Sequence, residues 1–136
     1  MLLSARLLKD FCSINSFEVA NSCEMYKGNA KRVYFQLIDA SLDLPTQGFS
    51  PSGRRFVPST GATLSVTLNS VDDAKKFVKT ASKAFSSGDD SLWYIDINAT
   101  DDVNGTVNMI LSLNQSGVIT SGLVQKAILV YPTVGI

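Results

Sequence analysis

Residues Ala62 to Asn69 alternate apolar and polar side chains without an error, and Gly105 to Asn114 nearly repeats this, with Val107, Met109, Leu111 and Leu113 on one side. A strand turns successive side chains to opposite faces, so a period of two marks one buried and one wet face. A chain in which this pattern recurs is committed to sheet, and helices long enough for βαβ crossovers have little sequence left to form in.

The remaining segments extend the pattern. Cys23-Glu24-Met25-Tyr26 is a short strand candidate closed by a Lys27-Gly28-Asn29 turn. Arg32 to Ala40 follows, with Val33, Phe35 and Leu37 on one face and Tyr34, Gln36 and Ile38 on the other, which predicts a central or covered strand. Leu92 to Asn98 puts Trp93, Ile95 and Ile97 inward, opposite Tyr94 and Asp96. Gln115-Ser116-Gly117 reads as a tight hairpin turn into Val118-Ile119-Thr120, Ser121-Gly122 as a bulge or bend, and Leu123 to Tyr131 as the closing strand. Lys76 to Ala84 alternates poorly. It reads as a solvent-facing edge strand guarded by lysines, with a short helix over Val71 to Ala84 as the rival. The spacing of turn signals predicts an all-β, antiparallel, immunoglobulin-like sandwich of about 7–9 short strands.

Two segments depart from this regularity. Asp43 to Pro58 holds prolines and glycines with little periodicity and reads as a surface loop, with Phe49, Arg54 and Arg55 as candidate contact residues. Leu2, Leu3, Leu7, Leu8 and Phe11 suit either a helical face or an edge strand, and either pack at home or dock on a neighbour. The expected division is thus an N-terminal arm over residues 1–17 and a single β domain over 18–136. The apolar run at the N-terminus is broken by Arg6 and Lys9, which leaves no continuous core for a signal peptide. No run approaches the roughly 18 apolar residues of a membrane span. Cys12 and Cys23 read as thiols of a reducing cytoplasm, and the three N-x-S/T triplets at Asn98, Asn104 and Asn114 as turn chemistry.

The residue inventory excludes several chemistries. The 136 residues contain no histidine, which removes Ser-His-Asp and Cys-His catalysis and histidine-containing zinc sites. No phosphate-binding, dinucleotide-binding or nucleophile-elbow motif occurs. The acidic string Asp72-Asp73, Asp89-Asp90, Asp96 and Asp101-Asp102 reads as turn formers before it reads as a calcium site, and it lacks EF-hand spacing. Tyr26, Tyr34, Tyr94 and Phe56 read as cross-strand pairs before they read as a carbohydrate platform. Twelve basic and twelve acidic residues cancel, so the basic footprint of a nucleic-acid binder is missing and self-repulsion is weak. The expectation is a protein that is not an enzyme and carries no cofactor or metal.

The order Tyr26-Lys27-Gly28-Asn29, Val33 to Asp39, Arg55-Phe56-Val57-Pro58, Gly61 to Leu64, Ser91 to Ile95, Gly105-Thr106-Val107 and Gly122-Leu123-Val124 resembles the immunoglobulin-like N-terminal domain of tailed-phage baseplate proteins and similar tail or neck components. The resemblance covers about residues 18–132 and rests on spacing and strand content. It implies a non-enzymatic structural subunit of a virion, assembled in the host cytoplasm in several symmetric copies. Its partners would be other virion structural proteins, with no nucleic acid and no membrane. The N-terminal arm and the 43–58 loop would make the contacts, through Leu2, Leu3, Leu7, Leu8, Phe11, Phe49, Arg54 and Arg55. A carbohydrate- or receptor-binding sandwich and a capsid decoration protein are the alternatives.

Overall fold

The computed structural model describes residues 2–13, 16–20, 22–40, 55–72, 74–84 and 90–132, with side chains except those of residues 9–20. The described residues are all-β. The strands are β1 (Leu3–Ser13), β2 (Ser16–Ala20), β3 (Cys23–Tyr26), β4 (Lys31–Asp39), β5 (Thr63–Ser70), β6 (Lys76–Thr80), β7 (Ser82–Lys83), β8 (Leu92–Ile97), β9 (Gly105–Gln115) and β10 (Val118–Tyr131). The alternating segments of the sequence become β5 and β9, and every second residue of each is buried.

All ten strands belong to one hydrogen-bonded sheet, whose main path runs β6-β5-β9-β10-β1-β4-β8-β7. The two ends of that path are joined by a single residue. β6 pairs with β5, β7 pairs with β8, and Ala81 between them donates its N–H to the Leu64 carbonyl at 2.9 Å. The 76–83 segment therefore bends from one edge of the sheet to the other, and the sheet nearly closes into a barrel. This corrects the expected sandwich, since the described strands form one nearly closed sheet and do not separate into two stacked sheets. Nor is the pairing purely antiparallel, since β10 runs parallel to both β1 and β3. The 76–83 segment is an exposed strand at the ends of the sheet path, as expected, and it also brings those ends together.

The stretch expected to be an arm is structural. β1 lies between β10 and β4, pairing with β4 from Leu3↔Asp39 to Leu8↔Tyr34 and with β10 at Leu3↔Gly122. Leu3, Ala5 and Leu7 point into the core, while Leu8 is buried on the opposite side of the strand. Beyond Leu8, β1 pairs with β2 alone among the described residues, in a hairpin that sets Phe11 opposite Phe17. The core is filled by Phe35 and Leu37 from β4, Trp93, Ile95 and Ile97 from β8, the inner residues of β5 and β9, and Ala127, Ile128 and Val130 from β10. Trp93 is inward as its alternation predicts, and its indole N–H donates to the Asp90 carbonyl at 2.8 Å.

Gly122 is required by packing and not by a bulge. A β-carbon there would sit 2.2 Å from the Leu3 carbonyl oxygen, so only glycine lets β1 approach β10 this closely. The interruption of β10 lies further on, between Val124 and Ile128, where Lys126 has a φ of 52°. The Lys126 N–H donates to Asn108 Oδ1 at 2.9 Å, and its carbonyl accepts from Ser22 Oγ at 2.8 Å. Past this bulge β10 exchanges its neighbour β1 for β3.

Candidate interaction face

The outer surface of β6, β5, β9 and β10 is the most distinctive face of the described molecule. Its inner side is apolar at Leu64, Val66 and Leu68 of β5 and from Val107 to Leu113 of β9, so alternation leaves Thr63, Ser65 and Thr67 of β5 and Ile110 and Ser112 of β9 pointing outward. Threonine and isoleucine are β-branched and suit a pleated surface, while serine keeps it low. The register then aligns these residues in rows across four strands. Val78, Thr67, Ile110 and Leu123 form one row, and Thr80, Ser65, Ser112 and Ser121 the next. Thr63, Asn114 and Ile119 follow on the far side. None of these residues is charged; Lys76, beside Asn69 and Asn108, and Lys126 in the bulge lie along one border. Val78 is 70% exposed, Ile119 64% and Leu123 48%, values far from those of packed core residues.

The β9–β10 hairpin that ends this face turns through Ser116 and Gly117, with φ of 52° and 86°. Positive φ at both central residues gives the turn the twist that a two-residue hairpin needs. Asn114 Oδ1 accepts from the Gly117 N–H at 2.9 Å and fastens it. Beside Leu123 an open apolar groove of about 420 Å³ lies where β1 meets β10, lined by Leu2, Leu3, Ser4, Ala40, Ser121 and Gly122.

Of the acidic string, Asp90, Asp96, Asp101 and Asp102 are engaged in ion pairs with lysines or arginine. Asp96 accepts from Arg32 at 2.8 and 3.1 Å, and Asp90 lies 3.5 Å from Lys83. Asp102 accepts from Lys27 at 2.9 Å and from Lys75, while Asp101 accepts from Lys79 and from the Asn98 N–H. These last contacts tie the loop before β9 to the β3–β4 turn and to β6. Among the described residues no group of three or more acidic, cysteine or histidine side chains is placed to hold a metal ion.

Lys75 first, then Lys27 and Asn104, hold the Asp102 carboxyl well below the usual carboxylate range. Burial pushes Asp101 up, but Lys79 and the Asn98 N–H outweigh it and the net direction is down. A depressed folded-state pKa contributes stability that is present above the unfolded value, about 3.9, and lost as pH falls through the folded value. Thermal melts are therefore expected to show a Tm that drops steadily below about pH 4. Asp102→Asn should flatten that drop; an unchanged acid limb in the variant would show that these pairs do not set it.

The aromatic residues form two register pairs instead of one platform. Tyr34 and Tyr94 lie opposite each other on β4 and β8 with ring centroids 5.8 Å apart, and Arg32 stacks 4.1 Å above the Tyr94 ring. Tyr26 and Tyr131 pair across β3 and β10 at 6.0 Å, and Phe56 packs against the core.

Of the contact residues expected from the sequence, Leu2 is 59% exposed and lines the groove, whereas Leu3, Leu7 and Leu8 are buried. Arg55 is exposed and bridges to Ile38 at the end of β4. Phe49 and Arg54 lie outside the described residues, as do the side chains of Phe11 and Cys12. Of the 43–58 loop, only residues 55–58 are described. Phe56 there donates its N–H to the Leu37 carbonyl at 2.8 Å. Val78, Thr67, Ile110 and Leu123 were not singled out by sequence. Each stood as an outward position on its own strand, and only the register makes them neighbours.

Comparison with protein-family models, with curated proteins and with solved structures finds no match to this chain.

Proposed function

We propose that this chain is a non-enzymatic structural subunit of a phage particle, held among other tail, baseplate or neck proteins. The observation that carries the reading is the outer face of β6, β5, β9 and β10, charged only along its Lys76–Lys126 border, with its Val78–Thr67–Ile110–Leu123 row, of which Val78 and Leu123 are exposed. An exposed apolar stripe bordered by small polar side chains is a surface for protein, since water solvates it poorly and no charge orients a small ligand on it. The absence of histidine and the engagement of Asp90, Asp96, Asp101 and Asp102 in ion pairs agree with a scaffold. The resemblance to immunoglobulin-like tail domains supplies the setting, and within it the chain is an immunoglobulin-related unit whose sheet curls into a barrel. The contact surface moves accordingly from an N-terminal arm to the sheet face and the Leu2 groove.

Mass spectrometry of gradient-purified particles, from a phage carrying the gene with an epitope tag, tests the proposal. The tagged chain is expected in the particle at a fixed stoichiometry to the tail proteins. Its absence from particles while it is present in the infected-cell lysate would overturn the reading.

A further inference from the structure

We infer that the outer face of β6, β5, β9 and β10 is a homotypic contact, in which a second copy of the chain packs sheet against sheet across the Val78–Thr67–Ile110–Leu123 row. This deepens the structural-subunit reading and rests on it for its setting, though not for its physics.

Three properties of the face select a second copy. The first is electrostatic. Across the three inner rows, from Val78 to Leu123, Thr80 to Ser121 and Thr63 to Ile119, every side chain is neutral. A charged partner surface laid on these rows would lose its hydration and find no counter-charge, which is costly. The same neutral face on another copy brings no such penalty. The lysines Lys76 and Lys126 stay on one border, where a rim remains hydrated.

The second property is shape. Serine and threonine make up the row on one side of the apolar one, Thr80–Ser65–Ser112–Ser121, and on that side the face is low enough for a second sheet to approach to the usual distance of about 10 Å. Val78, Ile110 and Leu123 then supply apolar area between the Lys76–Asn69–Asn108 border and the hydroxyl row, and the serine and threonine hydroxyls both donate and accept hydrogen bonds. A group that can do both matches its own copy, which a two-fold contact requires.

The third is area. Four strands about 4.8 Å apart and three same-face rows about 6.8 Å apart cover about 400 Å² in each copy, or about 800 Å² for a pair. That falls below the standard interface of about 1,600 Å² and within the class of weak contacts. The pair should therefore form in a concentration-dependent way in solution and be reinforced where a particle holds copies side by side.

Sedimentation velocity of the full chain, over a series reaching about 200 µM so that a weak complex is populated, tests the inference. The expected result is a shift from monomer towards dimer with concentration, lost in Val78→Glu/Leu123→Glu. Both substitutions fall at exposed positions, so the far-ultraviolet circular dichroism and Tm should stay close to those of the parent. Thr67→Lys is a second, single-site probe at the middle of the row and should weaken association at least tenfold.

A parent chain that remains monomeric throughout would overturn the inference, as would dimers that persist unchanged in both variants. A partner of another sequence that binds this face while the parent stays monomeric counts against it as well. None of these outcomes bears on whether the chain is present in particles, so the functional reading stands or falls separately.

Discussion

A chain lacking residues 1–12 is expected not to fold. The deletion removes β1 from between β10 and β4, and with it all six register pairs from Leu3↔Asp39 to Leu8↔Tyr34. It also takes Leu3, Ala5 and Leu7 out of the core. Truncating one buried leucine to alanine costs about 2–5 kcal/mol, so losing the three buried leucines Leu3, Leu7 and Leu8 with their strand is comparable to the 5–15 kcal/mol by which a typical domain is stable. The facing edges of β4 and β10 would also be left open, which invites aggregation. Circular dichroism should show a loss of the sheet signal, with the protein recovered from inclusion bodies. A soluble, cooperatively melting truncated domain would instead make the segment a dispensable arm.

The second large effect is expected at Phe35, fully buried in β4 between Leu7 of β1 and Trp93 of β8. Three large inward side chains on neighbouring strands fill this part of the barrel. Phe35→Ala should destabilise the protein by about 3–5 kcal/mol, read from urea unfolding, because a cavity adds to the lost transfer energy. Trp93 emission should shift to the red in the native baseline as water reaches the indole. Tyr34→Ala, on the half-exposed opposite face, should cost clearly less. Equal losses at both positions would show that the barrel interior is not where stability resides.

Together these expectations locate the stability of the chain in β1, β4 and β8 and its contacts in β6, β5, β9 and β10. The division follows from burial. The outward positions Gln36, Ile38 and Leu92 are themselves buried, so that end of the outer side of β4 and β8 is covered, while Tyr34 and Tyr94 are only partly buried. The outward side of β5 and β9 is left to small polar residues and one apolar row.

Alternation made the strands readable because it is a local property. β5, β9 and the inward set Trp93, Ile95 and Ile97 follow from period two alone, and the Ser116-Gly117 turn from a residue pair that tolerates positive φ. The N-terminal leucines could not be placed in the same way. Their spacing suits two secondary structures, and whether Leu3 and Leu7 are core or surface depends on pairings with β4 and β10 that lie far along the chain, such as Leu3↔Asp39 and Leu3↔Gly122. Gly122 misled for a related reason, since a glycine needed for close approach of another strand looks the same in sequence as one needed for a bend.

What the sequence determined on its own is therefore the period of two: all-β structure, one apolar side to each long strand, and the lack of histidine chemistry. Tertiary structure decided the rest. A single residue, Ala81, carries the chain from its pairing with β5 to its pairing with β8 and brings the sheet to a near-closed barrel. Register alone sets Val78, Thr67, Ile110 and Leu123 side by side, because a side chain's face is fixed by its own strand but its cross-strand neighbours by pairings distant in the chain.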